Sequence, residues 1–185
     1  QALFPSGLGP RVLDLGCGPG NISFRLARAD AAAEVIGLDG APAMLQLAQR
    51  NLEQEPDLVK RLSFVCLCLP SQDLPKGCSG LVRNSLLHHL HDPLVLWQAI
   101  AQAAAPGARI YVKDLRRPPS PEAAEQLRQR YLADAPAVLQ HDYLASLHAA
   151  FTAAEVEQQL NRCGLQQLQV AEVDDRYLEI WGQLP

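Results

Sequence analysis

The sequence has no apolar run near the ~20 residues that a membrane-crossing helix requires, so nothing in it reads as a membrane span. It has no CxxC pair, and its five cysteines, Cys17, Cys66, Cys68, Cys78 and Cys163, are odd in number. A disulfide framework and a structural zinc site are both poorly supported. Cys66 and Cys68 lie in an apolar run and are expected to be buried free thiols. The expected compartment is the reducing cytoplasm. No basic run exceeds Arg116-Arg117, the net charge is −4 and the pI is about 5.7. A broad phosphate-binding face is therefore missing, and nucleic acid is not the expected partner. No secretory leader is visible, although a chain that starts at Gln1 rather than Met leaves room for residues ahead of it. Repeats and low-complexity linkers are absent as well.

What remains is an ordinary globular composition, 48% hydrophobic and 19% charged. A length of 185 residues suits one domain with a sizeable core, here expected to span 1–185. Apolar strand-like runs alternate with helical patterns. Arg11–Leu15 reads as a strand, and Asn21–Arg28 as a helix with Ile22, Leu26 and Ala29 near one face. Glu34–Leu38 is a second strand. A helix opening at Pro42 follows, with Met44, Leu45, Ala48 and Leu52 at helical spacing. Leu62–Leu69 and Gly80–Asn84 are a third and fourth strand. Asp92-Pro93 opens a helix carrying Leu96, Ile100 and Ala104, which Pro106-Gly107 stops, and Ala108–Asp114 is a fifth strand. The alternation predicts parallel strands with helices on both faces, because parallel neighbours need crossover connections. From Pro118 to about Phe151 no strand is evident, and one or two helices are expected there as an insertion. Thr152 to Glu155 is a capping-box pattern for a further helix ending near Gly164. Leu165–Val173 and Tyr177–Trp181, joined by Asp174-Asp175, read as an antiparallel hairpin.

The stretch VLDLGCGPGN, Val12 to Asn21, is a strand running into a glycine-rich turn and a helix. Such turns place backbone N–H groups around a ligand, and glycine lets the ligand approach the main chain. Dinucleotide sites use GxGxxG; here Gly16, Gly18 and Gly20 are spaced differently, and Asn21 stands at the third dinucleotide position. Asp14 discriminates further. A carboxylate there would repel a pyrophosphate and favour a ligand with positive charge, such as S-adenosylmethionine with its ammonium and sulfonium. Asp39, at the end of the second strand, can accept from both hydroxyls of a ribose.

In these motifs the chain resembles the class I S-adenosylmethionine-dependent methyltransferases of the small-molecule type. The resemblance covers nearly the whole chain and rests on VLDLGCGPGN, LDGAPAML, NSLLHHLHDP and the closing hairpin. It implies an α/β, Rossmann-like doubly wound sheet of seven strands in order 3-2-1-4-5-7-6, with strand 7 antiparallel. It also implies that Gly16, Cys17 and Gly18 hold the methionine portion of S-adenosyl-L-methionine and that Asp14 reaches its ammonium, directly or through water. Asp39 would bind the ribose, and Gly40, Ala41 and Met44 would lie near the adenosine, with Met44 against the adenine face. For Met44, simple helix packing is the alternative reading. Two departures stand out. Where the family often has an acid after the third strand, this chain has Cys68 or Leu69, and near the start of the fourth strand it has Ser79-Gly80.

Methyl transfer is an in-line displacement, so the protein supplies alignment and, where needed, a base. Strand C-terminal ends line the crevice in this fold class, which places Asn84, Ser85 and the loop through Asp92 at the reacting centre. His88 and His89 are candidate bases, because imidazole titrates near neutrality. Packing and hydrogen bonding within the fold is the alternative for either. His88, His89 and His91 have no clear further ligands, so no metal is expected. Asn84-Ser85-Leu86-Leu87 does not match the Asn/Asp-Pro-Pro-aromatic motif associated with adenine N6 or protein glutamine targets. The insertion at 118–151 falls where relatives place a substrate lid, and it brings Tyr131, His141, Tyr143 and His148. Arg116 and Arg117 would receive an acidic substrate group or form a solvated pair. A small organic acceptor under that lid is the expected substrate. The competing readings are a methyltransferase-like partner subunit without turnover and a dinucleotide oxidoreductase. The sequence does not set an oligomeric state.

Overall fold

The computed structural model describes residues 3–185. Seven strands are present: β1 Arg11–Leu15, β2 Glu34–Asp39, β3 Leu62–Cys66, β4 Cys78–Asn84, β5 Ala104–Leu115, β6 Gln169–Glu172 and β7 Tyr177–Gln183. Six α-helices accompany them: α1 Asn21–Ala29, α2 Pro42–Glu53, α3 Leu94–Ala103, α4 Pro121–Leu132, α5 Ala137–Ala149 and α6 Ala153–Arg162. The strands form one sheet in the order β3-β2-β1-β4-β5-β7-β6. Pairing is parallel from β3 through β5, and β7 runs antiparallel to both β5 and β6. This is the Rossmann-like, doubly wound order that the resemblance implied.

Alternation along β1 sorts the two faces. Leu13 and Leu15 point into the larger core with Leu81, Ile110, Val112 and the α3–α6 residues Leu96, Trp97, Ile100, Val156 and Leu160. Val12 points the other way, into a core with Phe24 and Ala27 of α1 and Leu52 of α2. Trp97 has no exposed surface, and its indole N–H donates to Gln159 Oε1 at 2.9 Å, so a buried donor is satisfied between α3 and α6. Thr152 and Glu155 form the expected capping box at the start of α6.

Four expectations change. The buried face of α1 is Ser23, Phe24 and Ala27, with Ile22 and Leu26 only partly buried and Ala29 exposed, because Ser23 is drawn inward by Asp14. Strand β3 stops at Cys66 rather than Leu69. It is an edge strand, pairing with β2 alone among the described residues, and both Cys66 and Cys68 emerge exposed instead of buried. Strand β5 begins at Ala104, not Ala108; the helix ends at Ala103, and a register shift against β4 absorbs Pro106-Gly107. Residues 165–168 form a turn with Leu165 and Leu168 buried, so β6 is only Gln169–Glu172.

The departure at Ser79-Gly80 has a structural reason. Ser79 Oγ accepts from Arg11 N–H and donates to Arg11 C=O, both at 2.9 Å. A Cβ on Gly80 would lie 2.6 Å from both Cβ and the carbonyl oxygen of Leu8, so the segment ahead of β1 crosses β4 where no side chain fits. Gly80→Ala is expected to cost about 1–2 kcal/mol by overpacking. Urea unfolding reads this directly, and an unchanged midpoint would refute the contact.

Candidate active site

The C-terminal ends of β1, β2, β4 and β5 meet at one edge of the sheet. The turn after β1 needs glycine: φ is +65° at Gly16, +54° at Gly18 and +89° at Gly20, a region other residues rarely adopt. Gly18 faces open space, whereas a Cβ on Gly20 would meet the Phe64 and Phe24 rings at 2.8 and 3.0 Å. The turn is clipped to β2 by Cys17 N–H to Leu38 C=O at 2.9 Å. Asp39 then ties turn and helix together. Its Oδ2 accepts from Gly18 N–H at 2.7 Å, and its Oδ1 accepts from Ala41 N–H, at the start of α2, at 2.8 Å. Each carboxylate oxygen keeps lone-pair capacity for a further donor. The Cys17 thiol is pushed up to about 12, by burial first and then by Asp14 and Asp39, which makes it unreactive.

Asp14 is buried beneath the glycine turn, so of the two contacts the resemblance allows it, the one through water is the one its position leaves open. It is 1% exposed, on the α1 face of β1, and accepts from the Ser23 hydroxyl at 2.6 Å. With Leu13 and Leu15 committed to the α3 face, alternation turns Asp14 under the glycine turn, and it has no surface to offer a ligand directly. Burial raises its pKa to about 6, opposed by the Ser23 hydrogen bond and by Arg83.

Arg83, near the end of β4, is 5% exposed. Its Nη1 donates to Leu15 C=O at 2.6 Å and also to Gly16 C=O. A third buried charge lies one residue before the end of β5. Asp114 is 1% exposed and accepts from Leu86 N–H and Leu87 N–H at 2.7 Å each and from Leu115 N–H at 2.9 Å. Its Oδ1 also pairs with His88 Nδ1, and since a carboxylate can only accept, that nitrogen carries the proton. These bonds hold the 3-10 turn Leu87–His89, which the left-handed Ser85 (φ +58°) admits. His88 is thereby a structural member of the turn. His89 is exposed, leans against His88 with ring centroids 4.0 Å apart and the planes tilted by 42°, and has its pKa lowered by partial burial and by His88.

The remaining sequence candidates divide. Cys68 approaches Gly40, its Sγ 3.6 Å from that residue's carbonyl, so these two are brought together. Leu69 is half-buried against the larger core. Met44 is 40% exposed on α2. Asn84 is exposed at the end of β4, beside a cavity of about 820 Å³ lined by Ile22, Leu26, Val82, Tyr111 and Lys113. Arg116 and Arg117 each meet an acid at the surface rather than standing free. Arg116 pairs with Glu172 at 2.6 Å, and Arg117 pairs with Glu155. In the insertion, α4 and α5 pack on each other and on Leu115, and α5 also meets the 3-10 turn. Tyr131 donates to Asp175 at 2.8 Å, and His141 and His148 are exposed. Among the described residues no cluster of His, Cys, Asp and Glu could hold a metal, and no helix is long and apolar enough to cross a membrane.

Sequence reasoning passed over Ser23, Arg83 and Asp114. Asp114 nearly ends its strand and Asp39 ends its own, and that parallel was the available signal. Arg83 sits between Val82 and Asn84, where a charge reads as the solvated end of a strand.

Sheet order and glycine turn together define a Rossmann-like methyltransferase fold. Residues 12–108 match the methyltransferase domain family. Over 126 residues the chain is 31% identical to the ubiquinone biosynthesis O-methyltransferase of Xanthomonas campestris pv. campestris, covering 68% of this chain and 51% of that protein. The enzyme of the same name from Xanthomonas oryzae pv. oryzae is 30% identical over 130 residues. The chain thus spans about half the length of these curated relatives. A SAM-dependent methyltransferase from Aquifex aeolicus shares the fold with a TM-score of 0.71 at 17% identity, covering 98% of this chain and 86% of that one. Haemonchus contortus phosphoethanolamine N-methyltransferase 2, with S-adenosylhomocysteine, superposes with a TM-score of 0.75 at 15% identity over 98% of this chain and 50% of its own. The chain belongs to the class I S-adenosylmethionine-dependent methyltransferase family.

Proposed function

We propose that this chain binds S-adenosylmethionine across the ends of β1 and β2 and transfers its methyl group to a small organic acceptor. The observation that carries the reading is Asp39. Its carboxylate bridges Gly18 and Ala41 beside the open space at Gly18, with lone pairs left for two ribose hydroxyls. Gly40, Met44, Cys68 and Leu69 would border the nucleoside, and Gly16 to Gly18 the methionine portion. The cofactor supplies an activated methyl group for in-line displacement. Asn84, Ser85 and the 3-10 turn then align the acceptor, with the α4–α5 hairpin as its lid. Because His88 is tied to Asp114, His89 is the histidine free to take a proton, and its lowered pKa keeps it neutral near pH 7. The named relatives support an oxygen acceptor. Five free thiols and net charge −4 support a reducing cytoplasm and disfavour nucleic acid as substrate.

Calorimetry with S-adenosylmethionine, S-adenosylhomocysteine and NAD tests the site. Both sulfur ligands are expected to bind and NAD is not; no binding of either sulfur ligand sinks the reading. Asp39→Ala should weaken S-adenosylmethionine by about 2 kcal/mol, roughly thirtyfold, through lost hydrogen bonds to a charged group. An unchanged affinity removes Asp39 from the site. One observation favours a second reading, a binding subunit without turnover: Arg83 already occupies the carbonyl of Gly16. Ligand binding without methylation of any acceptor in a metabolite extract would select it.

A further inference from the structure

Resting on that cofactor reading, we infer that Arg83 is a resident cation of the binding crevice that biases it against a sulfonium and toward the uncharged thioether left after transfer. Its guanidinium donates to the carbonyls of Leu15 and Gly16, within the very turn assigned to the methionine portion. It also takes up the space beside that turn: a Cβ on Gly16 would fall 2.7 Å from Nη1. The side chain is 5% exposed, and its Nε has no hydrogen-bond partner. A buried guanidinium with an unmade bond is held at this spot by charge as well as by geometry.

The charges that hold it are Asp14, Asp114 and Asp39, in that order of influence, from β1, β5 and β2. Burial draws the guanidinium down to about 10, so it stays charged at neutral pH. The carboxylates that made the sequence look receptive to a cationic ligand are therefore already countered from inside. Both S-adenosylmethionine and S-adenosylhomocysteine bring the same amino acid and nucleoside groups. They differ by the methyl group and the positive charge on sulfur, and the charge is what Arg83 senses. Charge opposition from a buried guanidinium is screened far less than from one at the surface.

The experiment is calorimetry of both ligands on the full chain and on Arg83→Met, Arg83→Gln and Arg83→Lys. The quantity read is the ratio of the two dissociation constants. Removing the charge in Met or Gln should shift that ratio about tenfold toward S-adenosylmethionine, while Lys should leave it within twofold. Two neutral variants guard against one failing to fold, and a thermal melt reports which chains are native. An unchanged ratio in a folded neutral variant that binds both ligands overturns the role of Arg83 and leaves the cofactor reading standing. Equal weakening of both ligands also overturns it, by assigning Arg83 to a group the ligands share. Binding of neither ligand, in the unaltered chain and in a folded neutral variant, overturns the cofactor reading and this inference together.

Discussion

Asp114→Ala is expected to destabilise the protein by about 3–5 kcal/mol, because it leaves buried donors without acceptors. One carboxylate, 1% exposed, receives the N–H groups of Leu86, Leu87 and Leu115 and the ring of His88. Truncation strands all of them at once, in a place where water replaces little. Asp114→Asn keeps one oxygen but brings an NH₂ against groups that are themselves donors, so it should recover only part of the loss. His88→Ala removes a single partner and should cost less than either. Equilibrium urea unfolding of the three variants reads the order. A loss below about 1 kcal/mol for Asp114→Ala would mean that the turn re-forms its bonds elsewhere.

Asp14→Asn should do the reverse. A carboxyl titrating near 3.8 when unfolded and about 6 in the native state prefers its proton in the fold. The native protein therefore loses stability as pH rises from about 4 to about 6, and stays at the lower level above that window. Two units correspond to roughly 3 kcal/mol. The asparagine variant does not titrate and can still accept from Ser23. Relative to it, the unaltered chain should be equal near pH 4 and weaker by roughly 3 kcal/mol at pH 8. Parallel unfolding curves at both pH values measure the difference, and a gap that does not grow with pH would contradict a buried, proton-favouring carboxyl.

These two acids illustrate how much the sequence disclosed. Both end or nearly end a strand, and strand ends are found readily from apolar runs. The glycine turn, Asp39 and the closing hairpin were equally readable, since each depends on a short local pattern. What local pattern does not carry is which way a residue faces once three elements pack around it. The motif marks Asp14 as an acid beside the turn, but its burial beneath α1 follows from Leu13 and Leu15 facing the opposite core. Cys66 and Cys68 looked buried within an apolar run, but β3 proved to be an edge strand, and edge position depends on strand order. The ion pairs of Arg116 with Glu172 and Arg117 with Glu155 join residues 56 and 38 positions apart, beyond any window that reads sequence locally. Arg83 escaped for the same reason, since its carbonyl partners lie 67 and 68 residues earlier.

The place of β7 has a consequence for the order of assembly. It is inserted between β5 and β6, and among the described residues β6 hydrogen-bonds to no other strand. As a ribosome delivers the chain, β1 through β5 can zip into a parallel sheet whose last strand, β5, still has an open side. Strand β6 emerges next but has no strand to pair with. Only when Tyr177–Gln183 arrives does the open side close and β6 gain its partner, so both final strands join in a single late event. A nascent chain halted before Tyr177 would display the unpaired backbone of β5, Arg109 to Leu115, as a row of hydrogen-bonding groups available to chaperones or to other chains.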